Sequence, residues 1–128
     1  YFSKKIYLFI NLFVSTDIES VDRFKKIIDH NIKDLHHFFF KSEYEYAINK
    51  VNSEQSFAGI WCAKEAVVKS FNKIRKISVR DVEVICQKDS APEILIRNFS
   101  NKGLAFSISV SISHTTEYAT AVCVLQIL

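Results

Sequence analysis

The spacing of apolar residues changes along this chain from a helical period to a strand period, and that change limits the folds available to it. Between 53 and 72 apolar side chains recur every three or four positions, which predicts one long amphipathic helix. Between 106 and 113 apolar residues alternate strictly with serines, which predicts a strand with one apolar face. Because the helical segments precede the strands instead of alternating with them, we expect an α+β fold, with a mostly antiparallel sheet packed against a long central helix.

The remaining segments fit this plan. A nearly continuous apolar run at 6–14 predicts a buried first strand over 6–15. Thr16 or Asp17 is then expected to cap a helix over 18–30. Further elements are predicted, in chain order, as helices at 35–40 and 43–51 and as strands at 82–86, 93–97 and 118–128.

Length and composition exclude several classes of protein. A chain of 128 residues with 48% hydrophobic side chains predicts one globular domain over 1–128. Its two isolated glycines cannot build a P-loop or a GxGxxG dinucleotide fingerprint. The apolar run at 6–14 is about half as long as a bilayer requires, so no membrane span is expected. The three cysteines lack C-x-x-C spacing, and we expect reduced core residues instead of disulfides or a zinc site.

The charge balance favours an acidic protein as partner. A net charge of +3 is too small for a dedicated nucleic-acid binder and fits a modest positive patch. Four basic residues lie at helical spacing on one face of the predicted first helix, namely Arg23, Lys26, His30 and Lys33. They form either a solvated face or a docking stripe for an acidic protein.

Three residues are candidates for chemistry. Glu65 lies inside the apolar stripe of the central helix, where a carboxylate needs a metal ion or a cation for compensation. The alternative is an ordinary ion pair with Lys69, one turn later. Asp17 is either a helix cap or, together with Glu65, a ligand for Mg²⁺. His114 ends a strand and is either a hydrogen-bonded turn residue or part of a site.

Three segments in a fixed order carry a resemblance. They read T-D-I-E at 16–19, F-A-G-I-W-C-A-K-E-A at 57–66 and V-S-I-S-H-T-T-E-Y-A at 110–119. Each alone is weak, but the ordered set resembles the holo-acyl carrier protein synthase family of 4′-phosphopantetheinyl transferases. The resemblance covers roughly 14–125, which is nearly the whole chain.

The resemblance implies a fold, an assembly and a reaction. The fold is a compact α+β domain that forms homotrimers with active sites at subunit interfaces. The reaction, which serves fatty acid synthesis, is Mg²⁺-dependent. It moves the phosphopantetheine arm of coenzyme A to a serine of apo-acyl carrier protein and releases adenosine 3′,5′-bisphosphate.

The resemblance also assigns roles to residues. Asp17 and Glu65 match the family's Mg²⁺ ligands, and Lys69 matches a lysine that neutralises phosphate charge. His114 matches a histidine near the coenzyme A phosphates, and Pro92 matches the proline of a turn at the coenzyme A site. Either Glu65 or a metal-bound water is expected to accept the serine proton.

Carrier recognition follows from the same comparison. Arg23 matches a basic residue on the first helix that meets the carrier protein. Because acyl carrier proteins are acidic, we expect Lys26 and Lys33 to extend this docking surface.

Several positions depart from the family pattern. Ser15 stands where glycine is usual, Ile60 where arginine is common, and Ser109 where histidine often occurs. The usual glycine-containing loop after the central helix is replaced by N-K-I-R-K at 72–76, whose cations are candidates for phosphate binding.

These departures motivate an alternative, a catalytically silent domain that binds coenzyme A or a carrier protein. A transferase dedicated to a polyketide or polyunsaturated fatty acid synthase is a rival within the family. A Ser/His hydrolase lacks the G-x-S-x-G motif that it would need.

Composition bears on the source compartment. The sequence contains no methionine, so we expect the native chain to begin further upstream, with room for a targeting segment. The bias towards lysine, asparagine, isoleucine and phenylalanine is typical of an AT-rich genome. A bacterial cytoplasm and a plastid-type organelle both fit.

Overall fold

The structure is a computed structural model and describes residues 11–100 and 103–128. Its main sheet has three antiparallel strands in the order β1-β5-β4, which are β1 (Leu12–Ser20), β4 (Phe106–His114) and β5 (Tyr118–Ile127). A separate antiparallel ribbon is formed by β2 (Val82–Ile85) and β3 (Glu93–Ile96). The predicted antiparallel arrangement is therefore confirmed.

The longest helix packs on the main sheet, and the two shorter α-helices pack against that helix. The α-helices are α1 (Val21–His30), α2 (Lys41–Ile48) and α3 (Ser53–Phe71), with short 3-10 helices at Ile32–His37 and Val79–Asp81. The long helix α3 confirms the predicted central helix, and its Phe57, Ala63 and Val67 are buried in the core. A Cβ atom at Gly59 would lie 2.9 Å from Ile112 Cγ2, so glycine allows α3 to pack this closely on β4. Among the described residues, no helix is long and apolar enough to cross a membrane.

The prediction for the first strand was wrong at its C-terminal end. β1 continues through Asp17 to Ser20, because pairing with β5 extends as far as Ser20 opposite Tyr118. The cap of α1 is Ser20, whose side chain accepts a hydrogen bond from the Arg23 backbone N–H at 3.4 Å. Asp17 is thus a strand residue and not a helix cap. The predicted strand positions 6–10 lie outside the described residues.

Two further predictions need correction between α1 and α3. The chain leaves the α-helix at Asn31, whose φ is −144°, so Lys33 belongs to the following 3-10 helix and not to α1. The segment predicted as helical at 35–40 is this 3-10 helix, which ends at His37. Next, α2 begins at Lys41, two residues earlier than predicted, because Glu43 accepts a hydrogen bond from the Phe40 N–H at 2.7 Å.

The cysteines are free thiols, as predicted. Cys62 and Cys123 are buried in the core, and Cys86 is half-buried. Burial raises the pKa of the Cys86 thiol to about 11, so this side chain stays protonated at neutral pH.

Candidate active site

β1 places two carboxylates on the face of the sheet that α3 covers. Side chains two positions apart share a strand face, and Ser15 on this face donates a hydrogen bond to the Ala66 carbonyl of α3 at 2.5 Å. Asp17 and Glu19 follow on the same face, with side chains only 15% and 16% exposed. Glu19 was not among the predicted site residues, because the predicted strand ended too early. Alternation continued to Ser20 would have found it.

Lys69 joins α3 to this part of β1. Its Nζ donates to Asp17 Oδ1 at 3.1 Å and to the Thr16 carbonyl oxygen at 2.9 Å. The alternative of an ordinary Glu65–Lys69 ion pair was wrong, since among the described residues no ion pair joins these two side chains. Lys69 reaches across to the strand instead.

Glu65 lies close to both strand carboxylates. Burial raises the pKa of Glu65 above its ordinary value, the Asp17 carboxylate raises it further, and Lys69 acts in the opposite direction. Burial, together with Asp17 and Glu19, also raises the pKa of the Cys62 thiol to about 12. For both side chains burial is the larger cause, and the negative charges of Asp17 and Glu19 add to it, a contribution that a bound cation would oppose.

The donor set fits Mg²⁺. Carboxylate oxygens are the hard ligands that Mg²⁺ prefers, and Mg²⁺ takes only one or two of them while keeping several waters. Throughout 11–100 and 103–128, no group of three or more His, Cys, Asp or Glu side chains is arranged to hold a metal ion. The chemistry of Asp17 and Glu65 thus suits a cation with few protein ligands better than a structural zinc ion.

His114 and Pro92 lie at a different place. They line a cavity of about 180 Å³ together with Gly59, Ile60 and Cys86. Asp17 and Lys69 line a separate cavity of about 330 Å³ beside β5. Within one chain, the structure brings together Asp17, Glu65 and Lys69 and leaves His114 and Pro92 at a second site.

The predicted docking residues lie beside an apolar groove. Arg23 pairs with Glu19 at 2.6 Å and lies over the Trp61 ring at 5.9 Å. A groove of about 160 Å³ opens there, with Phe38 and Trp61 among its lining residues. Lys26 is exposed on α1, and Lys33 is exposed on the following 3-10 helix.

Two of the departures from the family pattern have a structural account. Ser15 is not among the residues with a positive φ, and its hydroxyl lies 2.6 Å from Ser70 Oγ in addition to its bond to α3. The strand therefore needs no glycine there. In the loop at 72–76, Lys73 lies over the Phe13 ring at 5.7 Å and Arg75 over the Phe99 ring at 5.6 Å.

Comparison with known proteins adds to this geometry. A family model described as the 4′-phosphopantetheinyl transferase superfamily matches residues 14–123. The chain belongs to this superfamily. The match contains both strand carboxylates, all of α3 and His114, so every part of the candidate site lies inside the region that defines this transferase superfamily.

Named relatives agree over nearly their whole length. The chain is 35% identical to the holo-[acyl-carrier-protein] synthase of Caldanaerobacter subterraneus, over 90% of this chain and 94% of that protein. It is 37% identical to the same enzyme from Chlamydia caviae, over 89% of this chain and 96% of that protein. The crystal structure of Helicobacter pylori holo-[acyl-carrier-protein] synthase in complex with coenzyme A matches with a TM-score of 0.70 and 27% identity, covering 91% and 100% of the two chains.

Proposed function

We propose that this chain is a holo-acyl carrier protein synthase that serves fatty acid synthesis. It transfers 4′-phosphopantetheine from coenzyme A to a serine of apo-acyl carrier protein. The observation that carries the proposal is the meeting of Asp17, Glu65 and Lys69 between β1 and α3, in a chain that matches the transferase superfamily over 14–123. This is the donor set that a pyrophosphate substrate with a divalent cation requires.

In the reaction, the serine oxygen of the carrier forms a bond to the phosphorus that bears pantetheine. The bond from that phosphorus to the bridging oxygen breaks, and this oxygen leaves with adenosine 3′,5′-bisphosphate. Such a transfer depends on charge neutralisation and in-line positioning more than on a covalent nucleophile on the enzyme. Lys69, whose side chain is half exposed beside Asp17, supplies one positive charge to the phosphates.

Asp17 and Glu65 would hold Mg²⁺, which when bound neutralises the pyrophosphate and stabilises the leaving bisphosphate. Glu65 is also the carboxylate best suited to accept the serine proton. In the metal-free chain the pKa of Glu65 is raised by burial and by the Asp17 charge. Bound Mg²⁺ would oppose this shift, so a metal-bound water is the alternative acceptor of the serine proton.

The second part of the site is proposed to come from another copy of the chain. The outer face of the main sheet carries exposed apolar side chains on β1, with Val14 63% and Ile18 64% exposed, and a row of serines on β4, with β5 between these two strands. Burying this face in a homotrimer would remove apolar surface from water. It would also let the His114 and Pro92 cavity of one copy complete the Asp17 and Lys69 side of the next, with His114 and Pro92 contacting coenzyme A.

Carrier docking is assigned to Arg23, Lys26 and Lys33. The three cations follow one another on α1 and the adjacent 3-10 helix, and the apolar groove at Phe38 and Trp61 opens beside Arg23. An acidic carrier protein would find charge complementarity and a hydrophobic contact on the same surface.

The test is the intact mass of apo-acyl carrier protein after incubation with this chain, coenzyme A and Mg²⁺. We expect a mass gain of one phosphopantetheine arm, lost with EDTA and with Glu65→Ala. If a folded chain binds coenzyme A but modifies none of several carriers, it is instead the silent binding domain.

The position of Ile60 favours this second candidate, because an apolar buried side chain lines the His114 cavity. Running polyketide synthase carriers in parallel identifies the preferred substrate.

A further inference from the structure

A second polar cluster lies within the fold beside α3, and the proposed reaction does not use it. The side chains of Lys64 and Glu43 are both 0% exposed and form an ion pair with an N–O distance of 2.6 Å. Lys64 Nζ also donates to the Val82 carbonyl oxygen at 2.7 Å. Glu43 accepts from the backbone N–H groups of Val84 and Phe40, each at 2.7 Å. The pair therefore connects α3, the start of α2 and the backbone of β2.

Stability alone does not account for such a pair. Removing two charges from water is costly, and well-packed uncharged residues of similar volume often give equal or greater stability. A buried ion pair with several hydrogen bonds restricts how the connected elements are oriented, because hydrogen bonds depend strongly on distance and angle. Here the bonds constrain this turn of α3 relative to the start of α2 and to β2.

The location of the pair connects it to the candidate active site. Lys64 directly precedes Glu65, and successive side chains on a helix point about 100° apart, so one turn of α3 carries both. The next residue, Ala66, accepts the hydrogen bond from Ser15 of β1 at 2.5 Å. The turn 64–66 is thus tied to β2 through one side chain and to β1 through one carbonyl, with Glu65 between them.

We propose that the Lys64–Glu43 pair is a positioning device that holds Glu65 at the correct place relative to Asp17. This inference rests on the proposed function. Replacing the pair with uncharged residues is expected to leave the chain folded while weakening the cooperation of Glu65 with Asp17. Mutating groups that hydrogen-bond to metal ligands typically lowers metal affinity or activity by about 10- to 100-fold, and we expect a loss in this range for the pair, which acts on Glu65 through the helix backbone.

The experiment compares the double variant Lys64→Met/Glu43→Gln with the wild type and with Lys41→Met/Glu45→Gln. The control makes the same substitutions in an exposed ion pair on α2, where the N–O distance is 3.8 Å. Three quantities are measured: the melting temperature, kcat with KM for the carrier, and Mg²⁺ affinity by calorimetry. We expect the double variant to keep most of its melting temperature, to lose about 10- to 100-fold in kcat and Mg²⁺ affinity, and to keep its KM for the carrier.

The single variant Lys64→Met decides the matter if the double variant does not fold, because Glu43 keeps its hydrogen bonds from the Phe40 and Val84 N–H groups and, with its pKa raised by burial, can become neutral by taking up a proton. It is expected to lower Mg²⁺ affinity and kcat at least about 10-fold. If the folded variants match the wild type in kcat and Mg²⁺ affinity, the pair is purely structural and the inference is wrong. If the wild type itself neither transfers phosphopantetheine nor binds Mg²⁺, the proposed function has failed instead, and the inference falls with it.

Discussion

The two halves of the candidate site differ in how firmly the chain itself holds them. On the carboxylate side, Asp17 is mostly buried and bonded to Lys69, and Ser15 ties the same strand to α3. On the histidine side, His114 is exposed at the end of β4 and Pro92 belongs to the turn before β3. The first half is organised within one chain, whereas the second half presents side chains to a cavity that opens outward.

This difference suggests that the two halves have different roles: the carboxylate side carries the chemical step, and the histidine side depends on assembly. Charges that must hold a cation need a fixed geometry, and helix α3 packed on β1 provides it. If His114 and Pro92 contact coenzyme A across a subunit boundary, as we propose, they need only be presented correctly to a neighbouring copy. We therefore expect changes on the carboxylate side to abolish the chemical step, and changes on the histidine side to weaken substrate binding.

The largest effect is expected from Glu65→Gln. Loss of the carboxylate removes both a proposed Mg²⁺ ligand and the proposed base, and a base alone typically contributes 10²–10⁴-fold. We expect kcat in the carrier mass assay to fall on the order of 10³-fold. Glu54→Gln, on the first turn of the same helix, is the matched control and should retain full activity. Equal activity of both variants would remove Glu65 from the mechanism.

Val14→Glu is expected to have the next largest effect. A charge on the outer face of the main sheet would oppose trimer formation, since buried unpaired charges are costly. Sedimentation should show monomers, and transfer activity should fall about 100-fold or more because the site loses its second half. Val51→Glu is the control, because Val51 is 99% exposed and lies away from the sheet. An active monomeric Val14→Glu variant would show that one chain holds the whole site.

His114→Ala should have a smaller effect, and it should change KM for coenzyme A more than kcat. If His114 contacts the coenzyme A phosphates, its loss removes a charge-assisted hydrogen bond in the ground state as well as in the transition state. We expect KM for coenzyme A to rise about 10-fold with a smaller change in kcat. A fall in kcat with an unchanged KM would instead place His114 in the chemical step.

Lys26→Glu tests carrier docking. Rim charges affect the association rate and its salt dependence more than the chemical step. We expect kcat/KM for the carrier to fall several-fold, with the loss shrinking as salt is added and kcat unchanged. Lys50→Glu, an equal charge change two residues after α2 ends, should behave like the wild type. Equal losses in both variants would mean that net charge, and not a docking surface, attracts the carrier.

The smallest expected effect is on stability. Because the pKa of Glu65 is raised in the folded chain, the folded state binds more protons than the unfolded state as pH rises above 4.5. Stability of the metal-free protein should therefore decrease as pH rises through the raised pKa. Glu65→Gln should melt a few degrees higher than the wild type at neutral pH, and the difference should vanish in acid. Mg²⁺ should raise the melting temperature of the wild type only. A variant that melts lower at neutral pH would contradict this view.

Much of the fold followed from the sequence, and the reasons are specific. The helical period of α3 and the strict alternation of β4 are local patterns, so both elements were predicted to within a residue or two. The end of β1 was missed because it depends on pairing with β5, a partner about a hundred residues away. The segment around Ser20 contains several residues that can cap a helix. Only the pairing of β1 with β5 decides which of them is the cap.

The candidate site was predicted less completely. Motif resemblance supplied Asp17, Glu65 and Lys69, but it did not show that Lys69 pairs with Asp17 instead of Glu65. The buried Lys64–Glu43 pair carries no local signal, since both residues look like ordinary polar positions on helices. Contacts between residues far apart in the chain arise only when the elements pack, so periodicity cannot reveal them.

Whether each active site is shared between two copies can be tested most directly by mixing two impaired chains. Glu65→Gln and His114→Ala chains are unfolded together in equal amounts, refolded, and assayed for carrier modification at low coenzyme A. If each site joins the carboxylate side of one copy to the histidine side of the next, random trimers contain about one quarter intact sites, and activity rises to about a quarter of the wild type. If both halves of the site belong to one chain, the mixture shows only the average activity of its two parents, and the proposal that two copies share each site is wrong.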